Sequence, residues 1–104
     1  MRCIVFEPYN GVDIEKPIED FGGKTFYLFN TDIHRPSMTD DKLNDAVADR
    51  LKAIDYDPDA DYIVASGNTI AVAILCAVAA SDYGQFNALV YDKRGSEYRR
   101  MIMG

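Results

Sequence analysis

Asp61-Tyr62-Ile63-Val64-Ala65-Ser66-Gly67-Asn68-Thr69 begins the stretch whose reading decides the fold. Eleven uncharged residues, Ile70 to Ala80, follow it, and a second apolar run, Phe86 to Tyr91, comes after them. An apolar run of strand length, a glycine-centred turn, a helix-length apolar segment and a second apolar run predict strand, tight turn, buried helix and strand. The turn would open the helix at the end where free backbone N–H groups face outward.

Outward from this core, Arg2 to Phe6 reads as a first strand and Asn10-Gly11 as a turn. Pro17 and Gly22-Gly23 predict an irregular stretch, an extended arm or an antiparallel excursion. Lys24 to Phe29, dense in aromatic residues, predicts a central strand. Leu43, Val47, Leu51 and Ile54 recur at helical spacing, so Thr39 to Ile54 predicts a helix. Thr39 is its expected N-cap, and Asp40 and Asp41 fall in the dipole-favoured first turn. After Phe86 to Tyr91, Asp92-Lys93-Arg94-Gly95 predicts a hairpin with glycine at positive φ, and Glu97 to Met103 returns as the last strand. Strands separated by helices require crossovers, so the chain reads as one domain, residues 1–104. Its expected class is α/β, a small Rossmann-like sheet with a parallel centre, two helices and a C-terminal antiparallel hairpin.

The charge is lopsided. Residues 1–61 carry fourteen acids and seven bases, whereas residues 62–104 carry three and four. An acidic half argues against general nucleic-acid binding, which needs a positive footprint. Seventeen acids offset by eleven bases also make a weak DNA mimic. The basic group Lys93, Arg94, Arg99 and Arg100 reads as a solvated hairpin or as an anion or docking contact. The longest uncharged apolar run falls short of the roughly 18 residues a membrane span requires. Glu7 and Pro8 interrupt any leader-like segment, so the expected location is the cytoplasm. Cys3 and Cys76 lie in apolar patterns and read as free, buried thiols.

The helix from Thr69 to about Asp82 has no polar face before Ser81, which calls for cover on more than one side. Ala73, Ala77, Ala80 and Gly84 add a line of small residues. In a chain this short a second copy is the expected cover, hence a homodimer.

Carboxyl ends of the strands at Lys24, Tyr62 and Phe86 should share one edge of the sheet, the usual ligand edge of open α/β folds. Candidate ligand residues there are Ser66, Gly67, Asn68, Thr69, Asp32, His34, Arg35 and Lys93. Ser66-Gly67-Asn68-Thr69 has a mechanism for anion binding but is neither a Walker loop nor GxGxxG. The simpler reading of the tetrad is a helix N-cap, from Ser66 or Asn68. His34 is the only histidine, so one chain cannot supply a two-histidine metal site. It reads as an exposed loop residue, or as a general base oriented by Asp32 and assisted by Arg35. The aspartates from Asp55 to Asp61 do not make an EF-hand, because Ala60 and Ser66 stand where glycine and glutamate belong. No metal or cofactor is expected.

Over residues 24–103 the strand-Ser66-Gly67-Asn68-helix-strand core resembles small α/β proteins of phages and other mobile elements, a resemblance that brings no activity with it. If phage-encoded, the chain would work in the host cytoplasm. Asp61 to Asp92 is also similar to the Rossmann-like nucleotide-sensing domains of CRISPR-associated systems, with Asn68 where a second glycine is expected. The leading expectation is a non-enzymatic regulatory or accessory protein, homodimeric, binding a phosphorylated small molecule or nucleotide at the Ser66–Thr69 turn. Two alternatives stand beside it: an interaction or inhibitor protein engaging a host protein through its acidic surface, and a phosphodiester or nucleotide hydrolase using His34.

Overall fold

The computed structural model describes residues 1–9 and 13–104; the Asn10-Gly11 turn lies outside them. Alternation within the first strand, β1 (Arg2–Val5), sets the layering. Ile4 points to one face of the sheet, Cys3 and Val5 to the other, and all three are buried. Helices are therefore needed on both sides. They are α1 (Glu15–Phe21), α2 (Leu43–Ala53) and α3 (Thr69–Tyr83), interleaved with β2 (Lys24–Tyr27), β3 (Tyr62–Val64), β4 (Phe86–Asp92) and β5 (Glu97–Met103).

The sheet order is β2-β1-β3-β4-β5, parallel from β2 to β4, with β5 antiparallel to β4. The chain steps one way from β1 to β2 and the other way from β2 through β3 to β4. Right-handed crossovers then place α1 on one face and α2 and α3 on the other. The two cores follow this division. Leu43, Val47 and Leu51 of α2 and Leu75 of α3 pack with Ile4, Leu28 and Ile63, while Ile14 and Ile18 pack with Cys3, Val5, Val64, Leu89 and Tyr98. The α/β class with a parallel centre and a C-terminal antiparallel pair is as the sequence predicts.

Four local expectations need correction. Residues 15–21 form a third helix, not an irregular stretch. Pro17 sits in its first turn, where no N–H is required. Asp13 accepts from the N–H groups of Glu15 and Lys16 at 3.1 and 3.3 Å, and Gly22, at φ 99°, closes the C-terminus. Ile18 is the only buried residue of this helix, too little for a visible period.

The strand at Lys24 is short and lies at the sheet edge, not the centre. Its apolar character reflects in part Leu28 and Phe29, which follow the strand and enter the core, Phe29 against Phe6 with ring centroids 5.2 Å apart.

Helix α2 begins at Leu43, without Thr39 as cap. Ser37 Oγ accepts from Thr39 N, and Asp40 Oδ1 from Lys42 N, so these side chains close turns before the helix. Burying each of Leu43, Val47 and Leu51 contributes about 2 kcal/mol, against a few tenths from acids in the first turn. Packing therefore sets where this helix starts.

In the β4–β5 hairpin Ser96, at φ 53°, occupies the left-handed region that was expected of Gly95. Within the single chain α3 is covered on one side: Ala71, Leu75, Val78 and Ala79 are inside, whereas Ile70, Ala73 and Ala77 remain exposed. Cys3 is buried and Cys76 half-buried, and both thiols are free.

The aspartates between α2 and β3 hold the backbone together. Asp61 is buried and paired with Arg2, its Oδ2 accepts from Asp57 N at 2.9 Å, and Asp57 Oδ1 accepts from Asp59 N at 2.9 Å.

Candidate functional site

The order of the strands reverses between β1 and β3. One chain segment leaves β1 toward β2, the other leaves β3 toward β4, and a crevice opens between them at the carboxyl ends. A cavity of about 260 Å³ lies there, lined by Val5, Phe6, Glu7, Tyr9, Ile14, Ser66, Gly67, Asn68 and Ala71. Its lining is mainly apolar, with Glu7, Tyr9, Ser66 and Asn68 as the side chains that carry polar atoms.

Local chemistry shapes it. Gly67 adopts φ 112°, a conformation costly for any residue with a Cβ, and the Tyr9 ring packs over it, 3.7 Å from where a Cβ would stand. Asn68 is the N-cap of α3: its Oδ1 accepts from Ile70 N at 2.9 Å and Ala71 N at 3.2 Å. The N-cap reading of the tetrad therefore holds, through Asn68. Two first-turn donors that an anion would use are already occupied. Behind the turn, burial pushes the Tyr98 phenol up, and the neighbouring Ser66 offsets part of that shift.

A second cavity, about 370 Å³, lies on the β2 side of Glu7 and is lined by Glu7, Pro8, Phe29, Asn30, Thr31, His34 and Arg35. Arg35 Nε donates to Glu7 Oε2 at 2.7 Å and Nη1 to Pro36 O at 3.0 Å. Side chains about 30% exposed make this pair worth under about 1 kcal/mol, so it orients the loop more than it stabilises the fold. Asn30 Oδ1 accepts from Asp32 N and Ile33 N, which shapes the loop. A third, open groove of about 500 Å³ lies on the β4 side, where Thr69 and Lys93 join Ser66, Gly67, Val72 and Tyr91.

The predicted site residues are thus spread along one edge. Ser66, Gly67 and Asn68 line the central cavity, Thr69 and Lys93 the groove on one side, His34 and Arg35 the cavity on the other. Asp32 lines none of the three, and no hydrogen bond joins it to His34 among the described residues. The contributions of Val5, Phe6, Glu7, Tyr9 and Ile14 are new. Their signal was present: β1 also has a carboxyl end, and a parallel β1 must bring Phe6 and Glu7 to the same edge.

Fold and crevice together define a small doubly wound α/β protein with a cavity at the topological switch point. The chain belongs to the family described as Phage Pam3 gp32-like protein, whose model matches residues 7–103. No curated protein and no solved structure matches it. The family match supports the resemblance to phage proteins; nothing in the comparisons supports the likeness to CRISPR-associated domains. No helix among the described residues is long and apolar enough to cross a membrane.

Proposed function

We propose that this phage-family protein is a non-enzymatic accessory protein of the host cytoplasm that binds a small molecule, of the nucleotide or other phosphorylated class, in the crevice between β1 and β3. The observation that carries this reading is the cavity itself: an apolar pocket with a few polar side chains, at the switch point of a parallel sheet. Its ligand residues are Ser66, Gly67 and Asn68 from the β3 side and Phe6, Glu7 and Tyr9 from the β1 side. Native mass spectrometry before and after denaturation tests it. Release of a nucleotide-sized mass supports the reading. If nothing is released and no compound of a fragment library perturbs the amide resonances of Ser66 and Gly67, it is wrong.

A homodimer fits the exposed side of α3, where Ile70, Ala73 and Ala77 present uncharged surface to solvent.

One observation favours the interaction-protein alternative. Asp41, Asp45 and Asp49 recur at four-residue spacing at the start and along the outer side of α2, all exposed and none in an ion pair among the described residues. A basic host partner whose binding weakens steeply with salt would support this second reading.

A further inference from the structure

We infer that the cavity between β1 and β3 reads the hydrogen-bonding edge of a neutral, planar nitrogen heterocycle of the nucleobase class, through Glu7 as acceptor and Asn68 as donor. This rests on the proposal that the cavity is a ligand site, and it goes further by assigning recognition to the ring and not to a phosphate.

Asn68 lines the cavity, and its orientation is settled by the fold. Its Oδ1 accepts from Ile70 N and Ala71 N, so the amide is held by its oxygen and its Nδ2, a pure donor, is the group left for a ligand. Glu7 lines the same cavity and is held in the complementary way. Its Oε2 is bound to Arg35 Nε at 2.7 Å, which leaves Oε1, a pure acceptor. The two walls, one from β1 and one from β3, thus present one fixed donor and one fixed acceptor. Val5, Phe6 and Ala71 supply the apolar lining. Tyr9, at the Gly67 turn, supplies an aromatic face of the kind on which flat rings stack.

This set of groups disfavours a phosphate in the cavity. Glu7 adds negative charge, Arg35 is already engaged with it, and two of the first N–H groups of α3 are occupied by Asn68. A flat ring carrying a neighbouring acceptor and N–H donor satisfies both side chains at once. Adenine, cytosine, guanine and uracil all carry such an edge. A ligand lacking it would leave a polar group unpaired when the cavity is covered.

The test is NMR titration of the protein with adenosine, cytidine, guanosine and uridine, and with their 5′-monophosphates, following the amides of Ser66, Gly67 and Ala71. Glu7→Gln and Asn68→Asp are compared with the native chain. Asp caps a helix as well as Asn does, so the second change replaces the donor and keeps the fold. At least one nucleoside is expected to shift these amides, and each substitution to weaken it about tenfold and reorder the four bases. Adding the 5′-phosphate is expected to change affinity by less than about fivefold, as for an exposed charge. If a nucleoside binds equally well, and in the same order, to all three proteins, the assignment of Glu7 and Asn68 is overturned. If the nucleosides fail while another library fragment shifts the same amides, the ligand class is wrong and the site stands. If no compound shifts them, site and inference fall together.

Discussion

Arg2 and Asp61, 59 residues apart, meet through two hydrogen bonds, Nε to Oδ1 at 3.1 Å and Nη2 to Oδ2 at 2.7 Å. The Arg2 guanidinium also lies 5.3 Å from the centroid of the Phe26 ring, so one side chain of β1 is tied to both β2 and the turn before β3. Asp61→Ala removes this pair and also the acceptor for Asp57 N. It should destabilise the protein by about 2 kcal/mol in urea unfolding. Arg2→Met, which leaves the turn bond intact, should cost less.

The cap of α3 gives a separable prediction. Asn68→Ala should lower stability by about 1 kcal/mol, whereas Asn68→Asp should stay within a few tenths. Chemical denaturation of both variants checks this, and equal losses would mean that the Oδ1 contacts contribute little.

Gly23 is needed for close approach. A Cβ there would run into Cys3 Sγ and stand 3.2 Å from Ile18 Cγ2. Gly23→Ala should cost roughly 1–3 kcal/mol by overpacking. Cys3→Ala in the same chain should recover part of that loss, as a positive coupling in a double-mutant cycle.

Tyrosine ionisation should limit stability in alkali. Burial, with a hydrogen bond to Glu15, pushes the Tyr27 phenol up to about 12, and burial also raises Tyr56, Tyr83 and Tyr98. Folded values above the unfolded value near 10 mean that the native state holds these protons more tightly. The stabilisation is complete below pH about 10; the part from Tyr27 is lost as pH rises through about 12, and the part from Tyr56 at still higher pH. Absorbance at 295 nm, followed with circular dichroism, should show these phenols ionising together with unfolding. Full ionisation of a still-folded protein below pH 11 would contradict it.

Ala77→Glu, on the exposed side of α3, should convert the proposed dimer to monomer in sedimentation equilibrium without loss of folded signal. A native chain that sediments as a monomer at every concentration would remove the dimer.

What the sequence alone determined is the set of elements that announce themselves by local pattern. Residues 61–92 specify strand, glycine turn, apolar helix and strand because each has its own period or backbone demand, and Glu97–Met103 was legible as a returning strand for the same reason. Cys3 within a buried strand and the tight turn at Gly67 belong to this class, whereas the positive φ expected of Gly95 falls on Ser96. Tertiary structure alone decided the rest. Which strand is central depends on pairing, and Lys24–Tyr27 lies at the edge although its composition reads as core. Helix α1 has one buried residue, so it exists through the end contacts of Asp13 and Gly22 and through packing over Cys3 and Val5, none of which has a periodic signature. The crevice joins Phe6 and Glu7 to Ser66 and Asn68 across some sixty residues of chain. Only the placement of β1 beside β3 brings them together, because strand adjacency is a property of the folded sheet that no local stretch of sequence encodes.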